Sequence, residues 1–196
     1  EWGQNFKLVN QYLAKENISD CWIAPFGNGE LILGYQPCRL MPGSFGWNFT
    51  EQPVDPVPPV IEGTILLSSS VLPPRGGDEY LPILQSEPVA LIGGSVFVYH
   101  GRFEIPLAAA LSHAIRVDRL VRLNRLEEAV ADGKTAVELA PDDSRTHLAL
   151  GIALARSGQK DDARLEFETT IKLAAVNPAL FRPEEMRAEN ELQRLQ

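Results

Sequence analysis

The sequence predicts an α+β protein, in which a small α/β domain over residues 1–104 precedes an all-α superhelix fragment over residues 105–196. Residues 1–106 hold 12 of the 15 prolines and 12 of the 15 glycines, which punctuate strands and loops and break helices. Lys and Arg are distributed the other way, with 5 of 18 before residue 107. In the second half, chosen residue types recur at one fixed interval, which predicts stacked helical hairpins.

The first domain opens with an amphipathic helix, predicted over residues 4–15. Its apolar residues recur at three- and four-residue spacing, which places them on one helical face. They are Phe6, Val9, Tyr12 and Leu13. Asn17 follows the last of them and suits a helix C-cap.

Four apolar runs predict strands, at residues 21–26, 31–40, 64–71 and 89–99. The run from Ile65 to Leu67 has no polar alternation, so we expect a central strand that is covered on both faces. Gly93 and Gly94 fall inside the fourth run, where they indicate a bulge or close packing. A short helix is expected over residues 78–84.

Cys21 and Cys38 allow two interpretations. They form a single disulfide between neighbouring strands, or they stay as two buried thiols. Free cysteine behaves as a small hydrophobe, and this favours the thiols.

The second half contains two copies of one pattern, over about residues 110–143 and 144–177. The interval from Ala129 to Ala163 equals the interval from His113 to His147. It matches the tetratricopeptide repeat, whose period is about 34 residues, and the pattern resembles that repeat. The second copy carries most of the residues that the repeat favours, namely Leu150, Gly151, Leu154, Gly158, Ala163 and Phe167. We expect Gly151 to permit close helix packing and Gly158 to end the first helix of its hairpin.

The first copy diverges from the pattern, as terminal repeats often do. Val117 stands where the repeat prefers Gly, and Gly133 stands where it prefers an aromatic residue. Pro106 suits the first turn of a helix, and the run Pro141-Asp142-Asp143-Ser144 is expected to stop one hairpin and cap the next helix. A capping helix is expected within 178–196, starting at Pro183 and running through Leu195.

No constellation for catalysis or metal binding emerges, so we expect no enzyme activity, cofactor or metal in this part of the protein. His100, His113 and His147 lack a ligand partner at helical spacing, which favours packing with one ring nitrogen hydrogen-bonded. Ser68, Ser69 and Ser70 lack the context of a nucleophile elbow. The pairs Asp142-Asp143 and Asp161-Asp162 are typical of helix N-termini.

One surface is a candidate binding site for a protein or peptide partner. In a tetratricopeptide stack the concave wall is built by the first helix of each hairpin. The residues expected there are Asp118, Arg122, Arg145, Leu148, Ile152 and Arg156. Three arginines on one wall of an acidic chain would suit an acidic partner. The alternatives are a solvated face, or a face covered by residues 1–105.

The net charge of −8 disfavours a nucleic-acid partner, which requires a basic face. No apolar run reaches the roughly 20 residues that cross a bilayer, so we expect a soluble domain. The sequence has no initiator Met, and we expect it to be a piece of a longer protein.

Five segments of the first half, in this order, resemble the C-terminal tail of a known family. They are Trp2-Gly3-Gln4-Asn5-Phe6-Lys7, Ala24-Pro25-Phe26-Gly27, Leu40-Met41-Pro42-Gly43, residues 59–70, and residues 87–99. The family is the bacterial membrane glycosyltransferases of the dolichyl-phosphate-mannose–protein mannosyltransferase type. Glu1 and Gly94 depart from the family pattern, which usually has Asp and an aromatic residue there.

The resemblance implies an extracytoplasmic, periplasmic domain whose parent chain is anchored in the membrane before Glu1. The family's catalytic acids lie in loops between membrane helices, so none can be assigned to this sequence. We therefore expect a non-catalytic interaction or positioning module. The alternative is a glycan- or lipid-linked-sugar-binding domain that stacks sugars on Trp2, Trp22 or Trp47. Trp47 is the strongest candidate, because it lies in a Pro- and Gly-rich connection.

Overall fold

The chain folds into two compact units, Glu1–Ala108 and Ala109–Gln196. The structure is a computed structural model that describes residues 5–25, 37–42, 55–72 and 78–195. Most of the predicted strand over 31–40 and the Pro-rich connection with Trp47 lie outside the described residues. The predicted α+β layout is confirmed, because the strands lie in the first unit and the second unit is helical.

The first unit is built on a five-stranded mixed sheet with the order β2-β1-β3-β5-β4. Strand β1 pairs in parallel with β2 and β3, whereas β5 is antiparallel to β3 and β4. The strands are β1 Cys21–Ala24, β2 Cys38–Leu40, β3 Val60–Ser68, β4 Ala90–Ile92 and β5 Val96–Glu104. Two helices accompany them, α1 Phe6–Lys15 and α2 Leu81–Leu84, with short 3₁₀ turns at Ser69–Val71 and Asp78–Tyr80.

Strand β3 is the centre of this sheet, as its unbroken apolar run predicts. Ile65, Leu66 and Leu67 are all fully buried, so both faces of the strand are covered. Helix α1 packs Val9 and Leu13 onto the face that carries Leu66. The helix ends shortly before Asn17, whose φ of 54° is the left-handed conformation expected at a helix end.

The fourth predicted strand is wrong in one respect, because it is two strands joined by a tight turn. Gly93 and Gly94 both have positive φ, 54° and 72°, the left-handed region that favours glycine in turns, and Ile92 pairs with Val96 across them. The Ser95 N–H donates to the carbonyl of Ile92 at 3.1 Å and closes this turn. Close packing is confirmed at Gly93, where a Cβ would collide with the side chain of Asn5.

The two cysteines form a disulfide, so the interpretation as buried thiols is wrong. The parallel register of β1 and β2 places Cys21 directly beside Cys38, with their Cα atoms 4.4 Å apart. This separation suits a disulfide. The bond ties the edge strand β2 to the strand next to it.

The second unit is helical, and its elements repeat along the chain. The helices are α3 Pro106–Arg122, α4 Leu126–Leu139, α5 Ser144–Arg156, α6 Lys160–Ala174 and α7 Pro178–Arg194. The last residues of α3 and α5, Arg122 and Arg156, are separated by the same interval as Ala129 and Ala163. The starts of α4 and α6 are separated by this interval too, as are the starts of α5 and α7.

The turns that follow α3 and α5 have the same geometry. Asn124 and Gly158, again one repeat apart, adopt φ of 57° and 82°. The next N–H in each turn donates back across the helix end, from Arg125 to Leu120 and from Gln159 to Leu154, at 2.9 Å in both cases. This is the Schellman arrangement, in which a left-handed residue ends the helix. The predicted role of Gly158 is confirmed.

Glycines set the approach of neighbouring helices in this unit. A Cβ on Gly151 would lie 2.6 Å from a ring carbon of the buried Phe167, so glycine permits the contact between α5 and α6. At Gly133 in α4, a Cβ would lie 2.9 Å from the Cα of Leu150 in α5. In the first copy, Gly133 thus lets α4 pack closely on α5 of the next hairpin. An aromatic side chain would not fit at this position.

The segment Pro178–Arg194 consists of two helices joined across a kink at Phe181, and the second helix begins next to Pro183, as predicted. Proline is tolerated in the first turn of a helix, where its missing N–H has no partner to lose. Phe181 has a non-helical φ of −110° and ψ of 16°, so Pro183 lies in the first turn of the helix that follows the kink. A proline there cannot donate to the carbonyl of Ala179, so the chain bends at the kink.

Candidate functional site

Two charged residues of the predicted concave wall, Asp118 and Arg156, take part in interhelical ion pairs. Asp118 pairs with Arg122 one turn later in α3. The same carboxylate receives Arg187 from α7, with Nη2 3.6 Å from Oδ1. One carboxylate therefore lies between two arginines that come from different helices.

A second carboxylate, Glu191 of α7, has the same kind of surroundings. Arg194 lies 2.7 Å away on its own helix, and Arg156 of α5 approaches the same oxygen to 3.9 Å. The side chain of Glu191 is 9% exposed, whereas the two arginines are at least half exposed. A carboxylate this buried requires cationic partners to offset its desolvation.

These six residues form one surface, which we call the arginine cluster. Its members are Arg122, Arg156, Arg187, Arg194, Asp118 and Glu191. Arg187, Glu191 and Arg194 follow at helical spacing on a single face of α7, and this joins the two groups. Four guanidinium groups share two carboxylates, so the cluster carries local positive charge in a chain of net charge −8.

The remaining predicted wall residues are not part of this surface. Leu148 and Ile152 are each only 7% exposed and pack in the core that also contains Ala188 and Leu195. They offer little area to a partner, because residues of α7 lie in the same core.

Arg145 is tied to the start of its own helix. The carboxylate of Asp143 accepts from the Arg145 backbone N–H at 2.9 Å and pairs with its guanidinium at 2.7 Å. This confirms Asp143 as the N-cap of α5. The guanidinium also lies 5.6 Å from the centre of the Phe181 ring. Arg145 thus serves the packing of α5 and α7.

Sequence analysis missed Arg187, Glu191 and Arg194. Their helix is rich in charged residues, which predicts a solvated surface. These three residues are spaced at intervals of four and three, which places their side chains on one face of a helix. This spacing is the sequence pattern that could have indicated a shared surface. Their partners Asp118 and Arg156 lie in other helices, and only the fold brings them together.

Each hairpin contains one histidine paired with a carboxylate on the opposite helix. His113 Nδ1 lies 2.9 Å from Asp132 Oδ1, and His147 Nδ1 lies 2.6 Å from Glu166 Oε2. Both spacings are 19 residues, because Asp132 and Glu166 also occupy equivalent positions in the two copies. The prediction that the histidines pack between helices with a ring nitrogen hydrogen-bonded is confirmed for His113 and His147, whereas His100 lies exposed on β5. A search for acids with the period of the repeat would have found their partners.

The second pair affects the protonation of its histidine. The hydrogen bond to Glu166 raises the pKa of His147 above its ordinary value of 6.5, and burial opposes this effect. The other ring nitrogen, Nε2, lies 2.8 Å from the carbonyl oxygen of Pro141. In the first pair, Nε of Arg116 also lies 2.8 Å from Oδ2 of Asp132.

The tryptophans offer no described platform for a sugar ring. Trp22 is 6% exposed, and the guanidinium of Arg39 from β2 stacks 3.9 Å above its ring. Its expected role in the sugar-binding alternative is therefore wrong. Trp2 and Trp47 lie outside the described residues.

The described ranges contain neither a metal-binding cluster nor a membrane-spanning helix. Residues 5–25, 37–42, 55–72 and 78–195 hold no group of three or more His, Cys, Asp or Glu side chains that could bind a metal ion. No helix in this part of the chain is long and apolar enough to span a bilayer. No protein-family model matches the chain, and no curated protein matches it.

Proposed function

We propose that this chain is a non-catalytic interaction module of the tetratricopeptide type. One observation carries the proposal, namely that helix ends, helix starts and the left-handed turn residues all recur at one interval. A period of about 34 residues is typical of that repeat. Repeats of this kind expose extended surfaces that bind partner chains.

The arginine cluster defines the kind of partner. Each guanidinium group carries five N–H donors, and two arginines share each carboxylate of the cluster. Some of these donors therefore face solvent. Arginine donors match the geometry of carboxylates and bind them in pairs. An acidic protein segment is the partner that this surface fits. The excess of acidic residues elsewhere on the chain directs such a segment to this cluster.

The disulfide supports an extracytoplasmic location for the module. Disulfides persist in oxidising compartments such as the periplasm and are rare in the reducing cytosol. Together with the resemblance of residues 1–100, this supports a role as the periplasmic tail of a membrane glycosyltransferase. In that role the module positions the parent enzyme on a partner protein.

Binding of a labelled oligoglutamate peptide, followed by fluorescence anisotropy, tests this function. Arg122→Glu with Arg156→Glu should weaken binding at least tenfold, because two attractive charges become repulsive. The matched control is Arg164→Glu, which makes the same change at an exposed position of α6. Added salt should weaken wild-type binding, since exposed charges are screened. Equal affinity in the double variant and the control would disprove the acidic-partner proposal.

A further inference from the structure

His147 bridges two parts of the second hairpin. Its Nδ1 faces the carboxylate of Glu166 in the middle of α6, and its Nε2 faces the main-chain carbonyl of Pro141 in the connection between α4 and α5. The side chain is 11% exposed. The ring therefore links the connection before α5 to the helix that follows α5.

Both atoms that face the ring are hydrogen-bond acceptors. A neutral imidazole carries one N–H, so it can donate to Glu166 or to Pro141 and must direct a lone pair at the other oxygen. The imidazolium carries two N–H groups and satisfies both acceptors. With Glu166 ionised, the imidazolium therefore satisfies both contacts, whereas the neutral ring satisfies one of them.

The charged groups around the ring favour the same state. Glu166 of α6 and Asp143 at the N-terminus of α5 act on the His147 ring, and both are acidic. Arg145 is the nearby cation, and it is paired with Asp143. For Glu166, the structure records His147 as its ion-pair partner.

The equivalent pair in the first hairpin is built differently. Asp132 has two cationic neighbours, with His113 at 2.9 Å from one oxygen and Arg116 at 2.8 Å from the other. Arginine stays charged at any pH at which the protein is folded. Asp132 therefore keeps a cationic partner whether or not His113 is protonated, whereas Glu166 depends on His147.

We propose that His147 is a proton-operated latch in the second hairpin. When protonated, it holds the α4–α5 connection to α6 through Pro141 and Glu166. Loss of the proton breaks one of these two hydrogen bonds and leaves one acceptor, the Glu166 carboxylate or the Pro141 carbonyl oxygen, facing a ring lone pair. The hairpin loosens in response, and this alters the position of α6 relative to the connection.

The direction of the effect follows from linkage. A folded-state pKa raised above 6.5 means that the latch contributes its full stability below pH 6.5. That contribution is lost as the pH rises through the raised value. The chain should thus hold this hairpin more firmly in mildly acidic than in alkaline solution.

The test is an NMR titration of the full chain with labelled histidine, from below pH 6.5 to about pH 9. The three histidine signals are assigned from His100→Gln and His113→Gln variants. We expect His147 to titrate above 6.5 and the backbone amides of residues 141–147 to shift with the same midpoint. In Glu166→Gln, which keeps the shape of the side chain, that midpoint should fall.

A parallel measurement uses urea unfolding at the same pH values. The free energy of unfolding of the wild type should decline above pH 6.5 as His147 loses its proton. Glu166→Gln should remove the part of this decline that comes from His147. Glu168→Gln, at an exposed position of the same helix, should behave as the wild type. A His147 midpoint at or below 6.5, or one that Glu166→Gln leaves unchanged, would overturn the latch. This result does not involve a partner, so it is independent of the binding test above.

Discussion

Gly151 illustrates how one missing side chain decides the packing of two helices. Phe167 is fully buried, and two of its ring carbons lie where a Cβ on residue 151 would project. A buried ring with packed neighbours cannot move aside at low cost. The position therefore demands glycine, although glycine is a poor helix former.

Gly151→Ala should destabilise the helical unit by about 1–3 kcal/mol, because the new Cβ would overlap the Phe167 ring. The better helix propensity of alanine offsets about 1 kcal/mol at most. Urea unfolding followed by circular dichroism measures the change. Phe167→Leu should be less harmful in the alanine background than in the wild type, since the smaller side chain relieves the overlap. Additive effects in this double-mutant cycle would contradict the contact.

The roles of single residues were predictable where they depend on bonds to nearby residues in the chain. Gly158, Asp143 and Asn17 end or begin helices through their own backbone or side chain, and sequence patterns describe such short-range bonds well. The partner of a side chain was less predictable. The carboxylate that pairs with His147 lies 19 residues away on another helix, and helical spacing within one element could not indicate it.

At the scale of elements, the strand pair β1–β2 depends on a covalent bond. Strand β2 has three residues and, among the described strands, lies at the edge of the sheet beside β1. So short a strand contributes few main-chain hydrogen bonds. The Cys21–Cys38 bond holds it in register.

Replacing both cysteines by serine should lower the free energy of unfolding of the first unit by about 3 kcal/mol. The estimate follows from the loop that the disulfide closes, whose ends are separated by 17 residues. Unfolding in urea, monitored by tryptophan fluorescence, gives the value. Wild-type protein treated with a reductant should show the same loss. A stability insensitive to both treatments would show that the bond has no role in holding the sheet.

Helices and strands were predicted correctly where one sequence pattern continued along the whole element. The apolar run of β3 and the Asp143 cap of α5 marked their elements, although β3 spans Val60–Ser68 and not 64–71. The prediction failed at Gly93-Gly94, because apolar residues on both sides made two strands look like one. At α7 it found the helix that follows the kink at Phe181 but missed the helical turn from Pro178 that precedes the kink.

At the scale of the whole molecule, charge is distributed unevenly. The chain carries a net charge of −8, yet the arginine cluster gathers four cations around two anions. Composition alone pointed to an acidic protein and could not reveal this surface. The period of the repeat could be predicted from the sequence. The ion pair between Asp118 of α3 and Arg187 of α7 could not, because it depends on how the helices pack.

Glu191→Gln should strengthen the binding of oligoglutamate by up to about fivefold, because it removes one of the two acidic groups from the cluster. Anisotropy titrations of the variant and the wild type at one ionic strength measure this. Glu189→Gln, at an exposed position of the same helix, is the control and should change affinity little. Weaker binding in Glu191→Gln than in this control would show that the carboxylate mainly orients Arg156 and Arg194.

The disulfide also leaves a signature that electrophoresis can detect. If a protease cleaves the backbone once between residues 21 and 38, the two fragments stay joined through the sulfur atoms. Such nicked protein migrates as intact chain under oxidising conditions and separates into two bands once thiol is added. Limited digestion therefore reports the oxidation state of each preparation before any stability or binding experiment begins.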